Sequence, residues 1–193
     1  MAVKKKDELP LLVKSLENVP IVKKGDYNYF VHPITDGIPF VEPALLEEVA
    51  DAMAEVGDFS SCDRIVTCEA MGIPLATLLS HKTGVPMVIV RKRRYGFPDE
   101  YALTQETGYS RSPLYINGLK KGDRVVFVDD VISTGGTLIP VADAFKKMGV
   151  DLVDVIIVFN KHKNLSEIED RIGVGIKVLL EVDVVDGRVV VRE

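Results

Sequence analysis

The chain has 193 residues, 47% of them apolar and 27% charged, with a formal net charge of −5. That size suits a single α/β domain with a proper core, and the acidic balance argues against a general nucleic-acid binder. No apolar run approaches the ~20 residues of a membrane span. The N-terminal "MAVKKKDELPLLVKSLENVP" has basic residues followed by a short apolar stretch broken up by acids and a proline. It is too short for a signal-peptide core and predicts an amphipathic lead-in helix on a cytoplasmic protein. "EPALLEEVADAMAEV" (42–56) has helical apolar spacing, with Pro43 suited to the first turn. "DRIVTCEAMG" predicts a short strand running into a loop at 69–72, and "IPLATLLSHKTG" the helix after it. Cys62 and Cys68 lack CxxC spacing and read as reduced structural cysteines.

"VPMVIVRKRR" predicts a buried strand ending in four bases. The segment 95–121 breaks the alternation: its glycines, prolines and hydroxyls show no sustained period, so it is expected to be a long mobile loop. "DRVVFVDD" is the expected central strand, "TLIPVADAFKKMG" a helix stopped by Gly149, and "DLVDVIIVFN" the next strand. In the tail "VLLEVDVVDGRVVVRE", Asp186-Gly187 between Val-rich runs signals a hairpin. Continuous Val/Ile strands separated by helices point to a mostly parallel sheet covered on both faces.

In such a sheet ligands sit at the carboxyl ends of the strands. Asp129 and Asp130 are followed by Ser133, Thr134, Gly135, Gly136 and Thr137, and then by a helix. Backbone N–H groups of a Gly-rich turn at a helix start hold a phosphate monoester without needing a lysine. Gly136 is expected to permit close backbone approach there and to need an unusual φ. Two carboxylates repel that phosphate but suit a neutral vicinal diol, so the pair beside the cradle reads as a ribose 5-phosphate site. Glu69, Ala70, Met71 and Gly72 form a second strand-end turn, and the basic run that includes Arg91 and Lys92 a third; together they suit a pyrophosphate. Walker A is excluded because no lysine follows Gly136, and the only GxG, Gly173-Val174-Gly175, lies late and lacks the third glycine of a dinucleotide fingerprint. The strand end "VFNKHK" places Phe159 to stack on a base and Asn160 and Lys161 to donate to an oxygen.

"VVFVDDVISTGGT" resembles the phosphoribosyl-pyrophosphate (PRPP) motif of type I phosphoribosyltransferases. "CEAMGIPLATLLSHKTGVPMVIVRKRRYG" resembles the adenine branch of that family, and nearly the whole chain resembles its archaeal hypoxanthine/guanine members. The resemblance implies that family's α/β fold: a mostly parallel sheet flanked by helices, a small hood and a C-terminal hairpin. It makes 1–193 one domain, with the lead-in helix and base hood in 1–40. It assigns Asp129 and Asp130 to the ribose hydroxyls, 133–137 to the 5-phosphate, and 69–72 with Arg91 and Lys92 to pyrophosphate. It places Tyr109 on a loop that closes over PRPP, and a hood containing Tyr29 and Phe30 over the purine. The implied reaction is displacement at the anomeric carbon by a purine nitrogen, with pyrophosphate leaving and Asp130 or its neighbour a candidate proton acceptor. Mg²⁺ would be carried mainly by PRPP oxygens and water rather than by protein ligands. The expected protein is a homodimer acting in purine salvage. The adenine-type hood sequence is replaced by "YFVHP", and Gly108 stands where adenine enzymes carry a Glu, which favours 6-oxopurines. Adenine specificity is the alternative. A PRPP-sensing regulator on the same fold is the other, although too few residues precede the hood for a helix-turn-helix.

Overall fold

The computed structural model describes residues 4–24, 27–107 and 110–192. After a 3-10 turn at Lys6–Glu8, α1 (Pro10–Ser15) leads to an antiparallel pair, β1 (Ile21–Lys24) with β2 (Tyr27–Phe30), and to the short α2 (Pro33–Asp36). Then come α3 (Pro43–Val56), β3 (Arg64–Cys68), α4 (Gly72–Thr83) and β4 (Met87–Val90). The antiparallel hairpin β5 (Tyr101–Thr107) and β6 (Ser110–Ile116) precedes β7 (Arg124–Ile132), α5 (Leu138–Met148), β8 (Asp151–Asn160), α6 (Ser166–Ile172), β9 (Ile176–Val185) and β10 (Arg188–Val191).

Six strands form the main sheet in the order β10-β9-β8-β7-β3-β4, parallel except for β10. Alternation along the strands sorts side chains into two cores. Val126 and Val128 of β7 and Ile156 and Val158 of β8 pack with Leu45, Val49 and Met53 of α3 and Leu75 and Leu79 of α4. Val125 and Phe127, with Val155 and Ile157, face Val141 and Phe145 of α5 and Ile168 and Ile172 of α6. Fully buried apolar residues on both faces are why these strands read as unbroken Val/Ile runs. The tail hairpin turns at Asp186-Gly187, both with positive φ (49° and 73°), the geometry such turns require.

The segment 95–121 departs from expectation. It is not an irregular excursion but contains the hairpin β5–β6, whose buried Leu114 and Ile116 join the second core. Arg91 and Tyr115 exchange both backbone hydrogen bonds (2.9 and 2.7 Å), fastening the hairpin to the end of β4. Pro113 lies within β6 opposite Thr104, on an isolated two-stranded pair where a missing N–H is tolerated. Helix α6 and the β1–β2 pair were not expected from the sequence.

Candidate functional site

The chain runs outward from β3 to β4, then returns to β7 and proceeds the other way through β8 and β9. The strand order therefore reverses between β3 and β7, the place where open α/β sheets form ligand crevices. Recorded pairing between the two stops at Val66↔Phe127. Beyond it lies a cavity of about 330 Å³ lined by residues from both strand ends, the 133–137 loop and the hood.

β7 continues through both aspartates to Ile132, so Asp129 and Asp130 project from the strand itself rather than from the loop after it. Both line the cavity, and the Asp130 amide donates to Asp129 Oδ1 at 3.1 Å. Burial raises both carboxyls above the ordinary range. Asp130 is pushed up further by the adjacent Asp129 charge and, at longer range, by Asp36.

Ser133 to Thr137 all line the cavity. The left-handed turn falls on Gly135 (φ 74°), a correction to the expectation for Gly136. A Cβ on Gly135 would sit 2.9 Å from Ile139 Cδ1 and 3.0 Å from Ile168 Cδ1. Thr137 precedes α5 without capping it; the Ile139 amide donates to the Gly135 carbonyl (2.9 Å) and residue 140 is a proline, so in the first three helical positions only the Leu138 amide is left for the cradle.

Glu69, Ala70, Met71 and Lys92 line the opposite end, but Gly72 and Arg91 do not. Gly72 is the contact point between α4 and the strands: a Cβ there would overlap Thr67 Oγ1 and lie 3.0 Å from Asp129 Oδ1. The Glu69 carboxylate pairs with Arg91 Nε (2.5 Å) and accepts from the Lys92 amide (3.1 Å). Arg91 is thus engaged in joining the two strand ends, and Lys92 is the cation that reaches the cavity from this basic run.

The hood carries Tyr29, Phe30 and Thr35 into the cavity. The Asp36 carboxylate organises it, accepting from Tyr29 Oη (2.6 Å), Thr35 Oγ1 (2.6 Å) and the His32 amide (3.0 Å). Lys161 lies opposite. Its Nζ donates to the Asn28 carbonyl at 3.2 Å and sits 5.1 Å from the Phe30 ring centroid, while its amide donates to the Ile132 carbonyl at 2.8 Å. Phe159, expected to stack on a base, does not line the cavity. It is fully buried behind Phe30, edge-on to the Phe30 and His32 rings at 5.8 and 5.2 Å, so it supports the hood instead. Tyr109 lies outside the described residues. Thr35, Gln105 and Ile157, which line the cavity, and Asp36, which holds Tyr29 and Thr35, were not singled out from the sequence, where none carries a motif.

Among the described residues no group of three His, Cys, Asp or Glu side chains could hold a metal ion. Nor is any helix among them long and apolar enough to cross a membrane.

The phosphoribosyl transferase domain family matches residues 41–186. The hypoxanthine/guanine phosphoribosyltransferase of Methanocaldococcus infernus is 54% identical over 181 residues, spanning 94% of this chain and 99% of its own. Its counterpart from Methanothermobacter thermautotrophicus is 54% identical over 186 residues, 96% of this chain and 95% of its own. Among solved structures, adenine phosphoribosyltransferase from Thermoanaerobacter pseudethanolicus superposes with a TM-score of 0.73 at 22% identity, covering 92% of this chain and 99% of that one. The Saccharomyces cerevisiae adenine enzyme gives 0.72 at 22%, covering 91% and 100%. At that identity the likeness is one of fold.

Proposed function

Since the chain belongs to the phosphoribosyltransferase family, we propose that it transfers the 5-phosphoribosyl group of PRPP to hypoxanthine, and second to guanine, releasing pyrophosphate in purine salvage. The observation that carries this reading is the Asp129–Asp130 pair beside the 133–137 cradle at the strand-order reversal, in one cavity with the hood. Relatives 54% identical and named hypoxanthine/guanine phosphoribosyltransferase support the base class.

In this reading the cradle amides hold the 5-phosphate, and the carboxylates accept from the ribose hydroxyls and favour the positive charge developing at the anomeric carbon. The purine nitrogen bonds to that carbon as the bond to pyrophosphate breaks. The proton it sheds passes to the aspartate pair, whose raised affinity for protons makes it a better base than an ordinary carboxylate. Lys92 and the 69–72 turn receive pyrophosphate, held in place by the Glu69–Arg91 pair. Lys161 donates to the purine O6, and Tyr29 and Phe30 cover the ring. Two neighbouring carboxylates are too few for a closed cage, which fits Mg²⁺ arriving on PRPP and keeping its waters; the ion would offset leaving-group charge.

The whole chain is read as one domain, cytoplasmic and homodimeric, and the part of 95–121 read as closing over PRPP is the β5–β6 hairpin beyond its core residues Leu114 and Ile116. Parallel assays of PRPP-dependent turnover with hypoxanthine, guanine, adenine, xanthine and orotate test the base. Adenine used at least as well as hypoxanthine overturns the assignment.

A further inference from the structure

The hairpin β5–β6 touches the cradle through Gln105. Along β5, Tyr101 and Leu103 pack on the second core while Ala102 and Thr104 are exposed, so alternation turns Gln105 inward as well. There it leaves the core and lines the cavity. Its Nε2 donates to Thr137 Oγ1, and its Oε1 accepts from Ser112 Oγ at 3.3 Å. Ser112 is the cross-strand neighbour of Gln105 in the hairpin register. Both strands therefore meet the phosphate cradle through one side chain. At the other end the same hairpin is tied to Arg91 by the paired backbone bonds of Tyr115.

The hydroxyls of Ser112 and Thr137 can each donate or accept, so the direction of this chain of bonds is open until something fixes it. An anion in the cradle does so, because a phosphate oxygen only accepts. Thr137 must then donate to the phosphate and accept from Gln105 Nε2, which turns Oε1 towards Ser112. We propose that Gln105 is a positioning residue for the 5-phosphate: it holds Thr137 as a donor and makes docking of the hairpin depend on occupancy of the cradle. The proposal rests on the ribose 5-phosphate reading of that cradle.

The test is a cycle of Gln105→Leu, Thr137→Val and the double variant, with ribose 5-phosphate as the probe in calorimetry and PRPP KM measured alongside. A lost hydrogen bond to a charged group weakens binding about tenfold or more, so Thr137→Val is expected to show at least that and Gln105→Leu somewhat less. The double variant should be no weaker than Thr137→Val alone, because Gln105 acts through that hydroxyl. KM for hypoxanthine should change less than about twofold in Gln105→Leu, as its effect is confined to the phosphate end. Ribose 5-phosphate should slow amide exchange in β5 and β6 of the wild type but not of Gln105→Leu, a readout that a purely structural tie would leave unchanged. Multiplicative losses in the double variant, or equal protection of the hairpin in Gln105→Leu, would overturn the proposal. A wild-type protein that does not bind ribose 5-phosphate would instead remove the cradle reading itself, and this inference with it.

Discussion

His32 should make the protein lose stability on acidification in a window set by one buried ring. It has no exposed surface, and its Nδ1 accepts from the Ile34 amide at 3.1 Å. The neutral ring therefore carries its proton on Nε2 and meets Ser15 Oγ at 2.8 Å, joining the hood to α1. Burial lowers its pKa from 6.5 to about 4, against the opposing pull of the Asp36 carboxylate. Between those values the unfolded chain binds the extra proton and the folded one does not, so stability falls as pH drops from 6.5 towards 4. At about 1.36 kcal/mol per pH unit the full effect is about 3 kcal/mol, or roughly 6–12 °C in Tm for a chain of this size. Asp129 and Asp130 act in the opposite sense: their raised values favour the folded state as pH falls from neutrality. The comparison that isolates the ring is therefore wild type against His32→Asn, whose side-chain oxygen can still accept from Ile34. Thermal unfolding at half-unit steps from pH 7.5 to 4 should give converging curves, the variant losing less. Parallel curves across the window would refute the buried neutral imidazole.

If the pair acts as proposed, replacing Asp129 and Asp130 together by Asn should lower kcat/KM by about a hundredfold or more in steady-state assays, and near-wild-type turnover would remove them from the site. Gly135→Ala forces a Cβ into a left-handed turn against Ile139 and Ile168; chemical denaturation should show a loss of about 1–2 kcal/mol, with weaker ribose 5-phosphate binding by calorimetry. Lys161→Met should raise KM for hypoxanthine while leaving PRPP binding unchanged, and an unchanged base KM would remove Lys161 from the pocket's readers. Limited proteolysis within 95–121 should be suppressed by PRPP with Mg²⁺, and equal nicking with and without ligand would count against a closing segment.

The parallel sheet was legible because β7 and β8 are buried on both faces and leave unbroken Val/Ile runs; polar residues could then be placed at strand ends by counting. That logic put Asp129, Asp130, residues 133–137 and Lys161 at strand ends, and all of them line the cavity. It failed for Phe159, whose orientation is decided by Phe30 and His32, hood residues more than a hundred positions away. For Arg91 it supplied the cation but not its partner, the Glu69 carboxylate on the neighbouring strand end. The hairpin was hidden because glycines, Pro113 and serines mask the period of two in a pair covered on only one side. Gln105 carries no motif at all, and only the cross-strand register with Ser112 and the nearness of Thr137 single it out.

The reversal of strand order has a consequence for how the protein reaches its native state. β3 and β7 are hydrogen-bonded neighbours, yet Arg64 faces Val125 across about 60 intervening residues that include α4, β4 and the hairpin. Closing so long a segment has to precede any contact between them, which raises contact order and slows folding. A chain emerging during synthesis will have made the 69–72 turn and Lys92 long before Asp129 exists to oppose them. Neither half has a partial version of the crevice to offer a ligand. PRPP would therefore bind only the completed sheet, adding its full binding free energy to the native state and giving nothing to intermediates on the way there.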